Sequence, residues 1–412
     1  MIEQNALVDY LPEDVFGKRH GYDWRTEMHR SLVPPKVGVS GNPLYESIIY
    51  GSDSLADAAD IFSGKTPGYS YPRLSWGNPT LQILGQRILD LEFGENDLRY
   101  EYDVLLTSSG MAAIVVTLLS LVEQNSRIVS SPYLYGGTYN LLTEYFPKLG
   151  RCVCLIDDPT HLSSWRKAFS TNTFNLEGGM MFAEDEANPM IIKLDNAALA
   201  GLAHRRNMLY VVDRTVGPPI SEQPFLHADL ASRPAIVIHS LSNAINGRSD
   251  CLGGAIIGRK ELIDKIRSSY FLVFGPVMDP RVADVILENM KDFEHRMRAK
   301  MANARIVANF LRSRVSEIAA VHGPGGDLLS FEVRGGYDSA RKFVEALKIP
   351  VLAPHLGDIQ SLVIHPASTT HSRVPLEARL KLGITDNLVR MAVGMEAIEL
   401  LIADIQGALH KV

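Results

Sequence analysis

Through the middle of the chain, short β-branched runs alternate with stretches whose apolar residues recur every three or four positions. That alternation is the signature of βαβ units around a mainly parallel sheet. YDVLLTSS (102–109) reads as a strand entering a turn, and MAAIVVTLLSLVEQ (111–124) as the helix that follows. Strands are expected again at RIVSS (127–131), RCVCLI (151–156), GGMMFAE (178–184), NMLYVVD (207–213) and PAIVIHS (234–240), with helices such as NAALAGLAHRR (196–206) between them. From about Lys260 long amphipathic helices take over, 280–313 among them, and DLLSFEV (327–333) and SLVIHP (361–366) then read as strands of a smaller domain. The pattern predicts an irregular N-terminal arm (1–66), a large domain (67–267) and a C-terminal domain (268–412), the two domains packed as one body without a low-complexity linker.

Composition narrows the class. A chain of 412 residues that is 46% hydrophobic can bury a large core. A net charge of -6 gives no electrostatic footprint for nucleic acid or an anionic membrane. No apolar run reaches the roughly eighteen residues that span a bilayer. The start, MIEQNALVDYLPEDV, lacks the basic and apolar regions of a signal peptide, so a cytoplasmic protein is expected. Cys152, Cys154 and Cys251 make neither a disulfide framework nor a metal cluster; the first two read as small core residues on one face of a strand.

Three segments carry candidate chemistry. SSGMAA (108–113) ends a strand and opens a helix, where small residues and free N–H groups suit an anion, although many such joints hold no ligand. YVVD (210–213) closes a buried strand with Asp213, either to aim an acid past the sheet edge or to cap a turn. Ser240 and Ser242 follow another strand, where hydroxyls two apart can cradle a phosphate or cap a turn.

These segments belong to an ordered set: GYSYPRLSWGNPT (68–80), SSGMAA (108–113), LYGGTY (134–139), EDEANP (184–189), VVDRT (211–215), HSLSNAINGRSDCLGGAIIG (239–258), PASTTHS (366–372) and LVRMAVGMEAIELL (388–401). In this order and spacing the set resembles the cystathionine γ-synthase, cystathionine lyase and methionine γ-lyase family from about Pro43 nearly to the C-terminus. The resemblance implies a fold-type I pyridoxal-phosphate protein: a mainly parallel seven-stranded sheet with a smaller C-terminal α+β domain, in a homodimer or homotetramer. It places the cofactor phosphate on the amides of Gly110 and Met111 after Ser109, aided by Ser240 and Ser242, with Tyr71 and Arg73 reaching it from a neighbouring subunit. It also implies that Tyr135 stacks on the pyridine ring, Asn188 lies near its phenolic oxygen, and Asp213, followed by Thr215, pairs with the ring nitrogen. Arg390, with Tyr135 beside it, would bind the α-carboxylate of an amino-acid substrate.

The resemblance fails at one position that matters. The family's His-Ser-x-Thr-Lys, whose lysine forms the internal Schiff base, reads His239-Ser240-Leu241-Ser242-Asn243. A carboxamide is neither nucleophilic nor basic, and no other lysine lies between Lys193 and Lys260. Further departures accompany it: Arg214 beside the cofactor acid, Arg248 in the loop before Ser-Asp, His355 where a serine precedes Leu-Gly, and Ser75 and Trp76 inserted in the arm motif. Histidine side chains titrate near neutral pH, so His355 is the candidate acid or base, with Tyr135 a second proton carrier; the alternative is a histidine that fills space and hydrogen-bonds a neighbour.

Two functions follow from the resemblance. One is an enzyme holding pyridoxal 5'-phosphate noncovalently or as an external aldimine, and catalysing β- or γ-elimination or replacement on a cysteine- or homoserine-like substrate. The other is a noncatalytic relative that binds a pyridoxal adduct or regulates a paralogue.

Overall fold

The computed structural model describes residues 43–74, 77–123, 126–169 and 175–412; most of the expected arm and the Ser75–Trp76 insertion lie outside these residues. The chain divides into a unit ending at Ile83 and a unit from Leu84 to Val412.

In the first unit, helix α1 (Leu55–Phe62) starts at Ser54, whose side chain accepts from the Asp57 amide as an N-cap. Asn78 organises the segment: its carboxamide donates to the carbonyls of Tyr45 and Ser47 and to the Tyr50 hydroxyl, at 2.7, 3.0 and 2.8 Å. The Arg73 guanidinium lies over the Tyr71 ring, 5.1 Å from its centroid. Helix α2 (Pro79–Phe93) spans the division in the chain.

The larger unit is built on a seven-stranded sheet. Its strands are β1 (Tyr102–Thr107), β2 (Ser126–Ser130), β3 (Cys152–Leu155), β4 (Asn175–Glu184), β5 (Leu209–Asp213), β6 (Ile236–Ser240) and β7 (Gly254–Arg259), in the order β1-β7-β6-β5-β4-β2-β3. All pairings are parallel except those of β7, which runs antiparallel to β1 and β6. Apart from the edge strand β3, the parallel strands are largely buried, as expected for a sheet covered on both faces. Helix α3 (Gly110–Leu121) packs Ile114, Leu118 and Leu121 onto Ile238 and Ile256, and α4 (Asn196–His204) joins β4 to β5. The consequence for function is that Thr107, Glu184, Asp213 and Ser240 all end strands at one sheet edge.

Beyond α5 (Lys260–Ile266), the expected single helix over 280–313 is two: α6 (Pro280–Asn289) and α7 (Phe293–Arg312), separated by a 3₁₀ turn at Met290–Asp292. No proline or glycine marks the break, and the apolar repeat runs on through it. The smaller domain has its own sheet of β8 (Ile318–Gly325), β9 (Leu328–Val333), β10 (Val351–Leu352), β11 (Leu362–Ile364) and β12 (Leu388–Ala392), ordered β8-β9-β12-β11-β10. Helices α7, α8 (Gly336–Ala346) and α9 (Ile398–Leu409) close its core, with Phe331 and Phe343 edge to face at 5.4 Å. The cysteines depart from expectation: Cys152 and Cys154 sit on β3, an edge strand, and are only half-buried.

α7 also buries two cations. Arg296 donates to the carbonyls of Ile245 and Asn289, at 3.2 and 2.8 Å, and pairs with Asp292. Lys300 pairs with Asp327, and both are almost wholly excluded from solvent. Removing one member of a buried ion pair strands the other charge, whereas an apolar pair of similar size avoids that cost. Lys300→Met is therefore expected to lower unfolding stability by about 3–5 kcal/mol. In chemical denaturation the Lys300→Met/Asp327→Leu double variant should recover most of that loss; a double variant no better than the single one would contradict the buried-charge account.

Candidate active site

The segment expected to hold a phosphate lies where β1 meets α3. Ser109 caps the helix, accepting from the Ala112 amide at 3.1 Å, and no described group accepts from the amides of Gly110 and Met111. A side chain at Gly110 would lie 2.7 Å from Cβ of Ser240, so glycine is what lets the helix start close onto the end of β6. The Ser240 amide donates to Thr215 Oγ1, and its hydroxyl has no partner among the described residues. Ser242 is placed differently: its hydroxyl accepts from the Gly253 amide at 2.9 Å and serves the loop. The Met111 sulfur lies 3.7 Å from the Thr138 hydroxyl, which ties the helix start to the segment after Tyr135.

The acid end lies on β4 and β5, where Glu184 and Asp213 are register partners at the strand ends. Thr215 donates to Asp213 Oδ1 through its amide (3.0 Å) and its hydroxyl (2.6 Å). Burial raises the Asp213 carboxyl above the usual range despite these bonds and the nearby His239. Burial, then the Asp213 charge, push Glu184 well up too, although the Tyr135 amide donates to it. The motif reading passed over Glu184; the signal was a second acid closing a strand beside Asp213. Arg214 does not sit with that acid. Successive strand residues face opposite sides, and its guanidinium goes instead to Asp185 (2.8 Å) and to the Glu222 carbonyl. Behind the strands, His239 Nε2 meets Glu92 at 2.6 Å and its Nδ1 meets the Arg214 carbonyl at 3.1 Å.

Arg390, the residue expected to meet a substrate carboxylate, lies on β12. One terminal nitrogen donates to Asn188 Oδ1 (3.1 Å) and the other to the His355 carbonyl (2.8 Å), while Nε has no partner. No carboxylate lies within ion-pair distance of this guanidinium among the described residues, and burial lowers its pKa to about 10. Asn188 is thereby committed to Arg390. Tyr135, at the start of the segment facing this region, is 43% exposed, and its hydroxyl has no partner among the described residues. His371 bonds the Leu134 carbonyl at 3.4 Å and supports the Tyr135 segment from behind.

His355 and Asn243 come together through Gly357. A side chain there would meet the Ala244 nitrogen at 2.3 Å and the Asn243 carbonyl carbon at 2.7 Å, so the loop rests on the Asn243–Ala244 peptide. The buried Nε2 of the His355 ring has no partner among the described residues. Burial moves its pKa below the usual value. Asn243 lies in the turn after β6, where its carbonyl accepts from the Gly247 amide at 2.7 Å, and nothing described bonds its carboxamide. Arg296 holds the same turn, a role no motif signalled. Arg248 does not join this group, since its side chain points to Asp292 near the surface. Tyr71 and Arg73 belong to the other unit of the chain.

Free amides at a helix start, an acid at the sheet edge and a buried guanidinium lacking an acid fit pyridoxal phosphate and the carboxylate of an amino acid. The architecture is that of a fold-type I pyridoxal-phosphate protein. A profile of Cys/Met metabolism PLP-dependent enzymes matches residues 29–410, and the chain belongs to that family. It is 34% identical over 407 residues to an L-methionine gamma-lyase of Fusobacterium nucleatum subsp. polymorphum, covering 94% of this chain and 98% of the relative. An O-succinylhomoserine sulfhydrylase of Pseudomonas aeruginosa is 32% identical, with 89% and 90% covered. Among solved structures, a Campylobacter jejuni chain assigned as an O-acetylhomoserine (thiol)-lyase superposes with a TM-score of 0.80 at 30% identity, covering 90% and 95%; it carries N'-pyridoxyl-lysine-5'-monophosphate. A cystathionine gamma synthase of Xanthomonas oryzae in complex with aminoacrylate and cysteine gives 0.80 at 27% identity, covering 94% and 98%. Among the described residues no helix is long and apolar enough to cross a membrane.

The paired acids set a pH dependence. A carboxyl whose pKa is raised by folding binds its proton more tightly in the native state, so stability is greatest below the ordinary carboxylate range and falls as pH rises through the raised value. For the cofactor-free protein, Glu184→Gln removes one of the two charges and should flatten that fall. Urea midpoints across pH for both proteins check this; parallel profiles would contradict it.

Proposed function

We propose that this chain is a pyridoxal-phosphate-binding enzyme that processes a cysteine- or homoserine-like amino acid by β- or γ-elimination or replacement, with Asn243 standing where the family's lysine stands. The observation that carries the reading is Arg390, a buried cation with a bare Nε and no acid within ion-pair distance among the described residues, held by the carbonyl of His355. An uncompensated buried guanidinium is costly unless a ligand anion completes it.

The amides of Gly110 and Met111 and the Ser240 hydroxyl would hold the cofactor phosphate, with Tyr71 and Arg73 supplied by a neighbouring subunit of a homodimer or homotetramer. Asp213 would face the ring nitrogen, and Tyr135 would lie against the ring. When bound, the cofactor supplies an electron sink for the bonds at the α-carbon of an amino acid. This chain supplies the rest. Arg390 orients the α-carboxylate through Nε and the free edge of its terminal nitrogens. The Nε2 of His355 is buried and has no partner among the described residues, which leaves it free to receive a proton in the neutral ring's acceptor form. His355 is then the group that takes the substrate's α-proton, a duty a carboxamide cannot perform. Asn243 has free donors and an acceptor to position the substrate's polar atoms.

Absorption spectra with pyridoxal phosphate, before and after a panel of amino acids, test this. A visible band that appears with one class of amino acid is expected; absence of cofactor retention and of any band would leave the noncatalytic reading. His355→Ala should lower turnover on that amino acid by about a hundredfold or more while the cofactor is retained. Unchanged turnover would remove His355 from proton transfer. In the unsubstituted enzyme, kcat should fall with decreasing pH only below the usual histidine value, since burial lowers the pH at which this base becomes protonated.

A further inference from the structure

The pair behind the sheet offers more than a structural reading. Glu92 ends its helix fully buried, and its Oε1 lies 2.6 Å from His239 Nε2, while Oε2 has no partner. On the other side of the ring, Nδ1 lies 3.1 Å from the Arg214 carbonyl. A carbonyl only accepts, so Nδ1 carries a hydrogen; a short contact between Nε2 and a carboxylate then requires a second proton shared by the pair. The peptide that receives the Nδ1 hydrogen bond is the one joining Arg214 to Thr215. Its N–H donates to Asp213 Oδ1 at 3.0 Å. One peptide unit thus accepts from the imidazole at its oxygen and donates to the acid at its nitrogen. Hydrogen bonds linked in this way polarise one another, and a charged donor at the start strengthens the donor at the end.

We propose that Glu92 and His239 are positioning residues: a carboxylate–imidazolium pair that acts through the Arg214–Thr215 peptide to keep Asp213 ionised and aimed at the sheet edge. The charged groups bearing on this line are Glu184 beside Asp213, Asp185 nearby, and the Arg214 guanidinium, on which Glu92 also acts. Glu184 and Asp185 favour a protonated Asp213, and the His239 charge opposes them. Glu92 stabilises that charge at a distance from Asp213. The value of such a line to the cofactor rests on the reading that Asp213 faces the ring nitrogen, since an ionised acid keeps that nitrogen protonated.

The test uses full-length protein with 13C-labelled aspartate carboxyl groups, cofactor removed, and the Asp213 signal identified by its loss in Asp213→Asn. Glu92→Gln keeps the shape of the pair but removes the charge that retains the imidazolium. In that variant the Asp213 midpoint should rise by about one pH unit, a tenfold change in proton affinity. An unchanged or lower midpoint would overturn the proposal. Should Glu92→Gln not fold, 15N spectra of His239 in the unsubstituted protein decide: both ring nitrogens protonated at neutral pH supports the pair, and a neutral ring overturns it. A separate arm compares binding of pyridoxal phosphate with that of an analogue carrying carbon in place of the ring nitrogen. Preference for pyridoxal phosphate that shrinks in Glu92→Gln supports the line and its use. No preference in the unsubstituted protein overturns the placement of Asp213 at the ring, while the aspartate titration still judges the relay by itself.

Discussion

A buried guanidinium with no acid within ion-pair distance among the described residues is the constraint on which the proposed site depends. Arg390 joins three parts of the chain that sequence keeps far apart: its own strand β12, Asn188 after β4, and the His355 loop. Its neutral partners take hydrogen bonds but do not balance its charge. The site is therefore set to accept an anion, and the groups that would act on that anion's bearer are tied to the same cation. The His355 carbonyl is fixed by Arg390, and its loop by Gly357 against the Asn243–Ala244 peptide. Position at one end thereby determines position at the other.

The parallel sheet supplies the second level of order. Because β1, β4, β5 and β6 run the same way, their final residues share an edge, and Ser109, Glu184, Asp213 and Ser240 gather there without any long-range design beyond strand register. Two acids side by side at that edge are each driven toward the protonated form by burial, and Glu184 further by the charge on Asp213. The Thr215 hydrogen bonds and His239 act the other way on Asp213 alone. This asymmetry leaves Asp213 the less strongly driven of the two toward its protonated form.

Much of this was legible in the residue pattern. The β-branched runs located β1 to β6, β9 and β11 to within a few residues, while β8, β10 and β12 went unread; the motif order pointed to the fold that the solved relatives share. What sequence could not show was direction. Arg214 follows Asp213 by one residue, yet strand alternation sends its charge to Asp185 on the other side. Arg248 looked like part of a rebuilt site and turns to Asp292 instead, which leaves His355 as the changed residue that meets Asn243. Glu92 and His239 are 147 residues apart, so no spacing rule links them. The break at Met290–Asp292 was invisible because the apolar repeat continues through it, and the edge position of β3, which leaves both cysteines half-exposed, depends on strand order.

In the proposed reading the pocket is kept and residue 243 offers the cofactor no covalent anchor. Incubation with pyridoxal 5'-phosphate, borohydride reduction and intact-mass analysis tests it most directly, with Asn243→Lys as the comparison. The account expects the unsubstituted chain to retain the cofactor reversibly yet gain no pyridoxyl mass, while Asn243→Lys gains one per chain at residue 243. Stoichiometric pyridoxyl attachment to another lysine of the unsubstituted protein would contradict it.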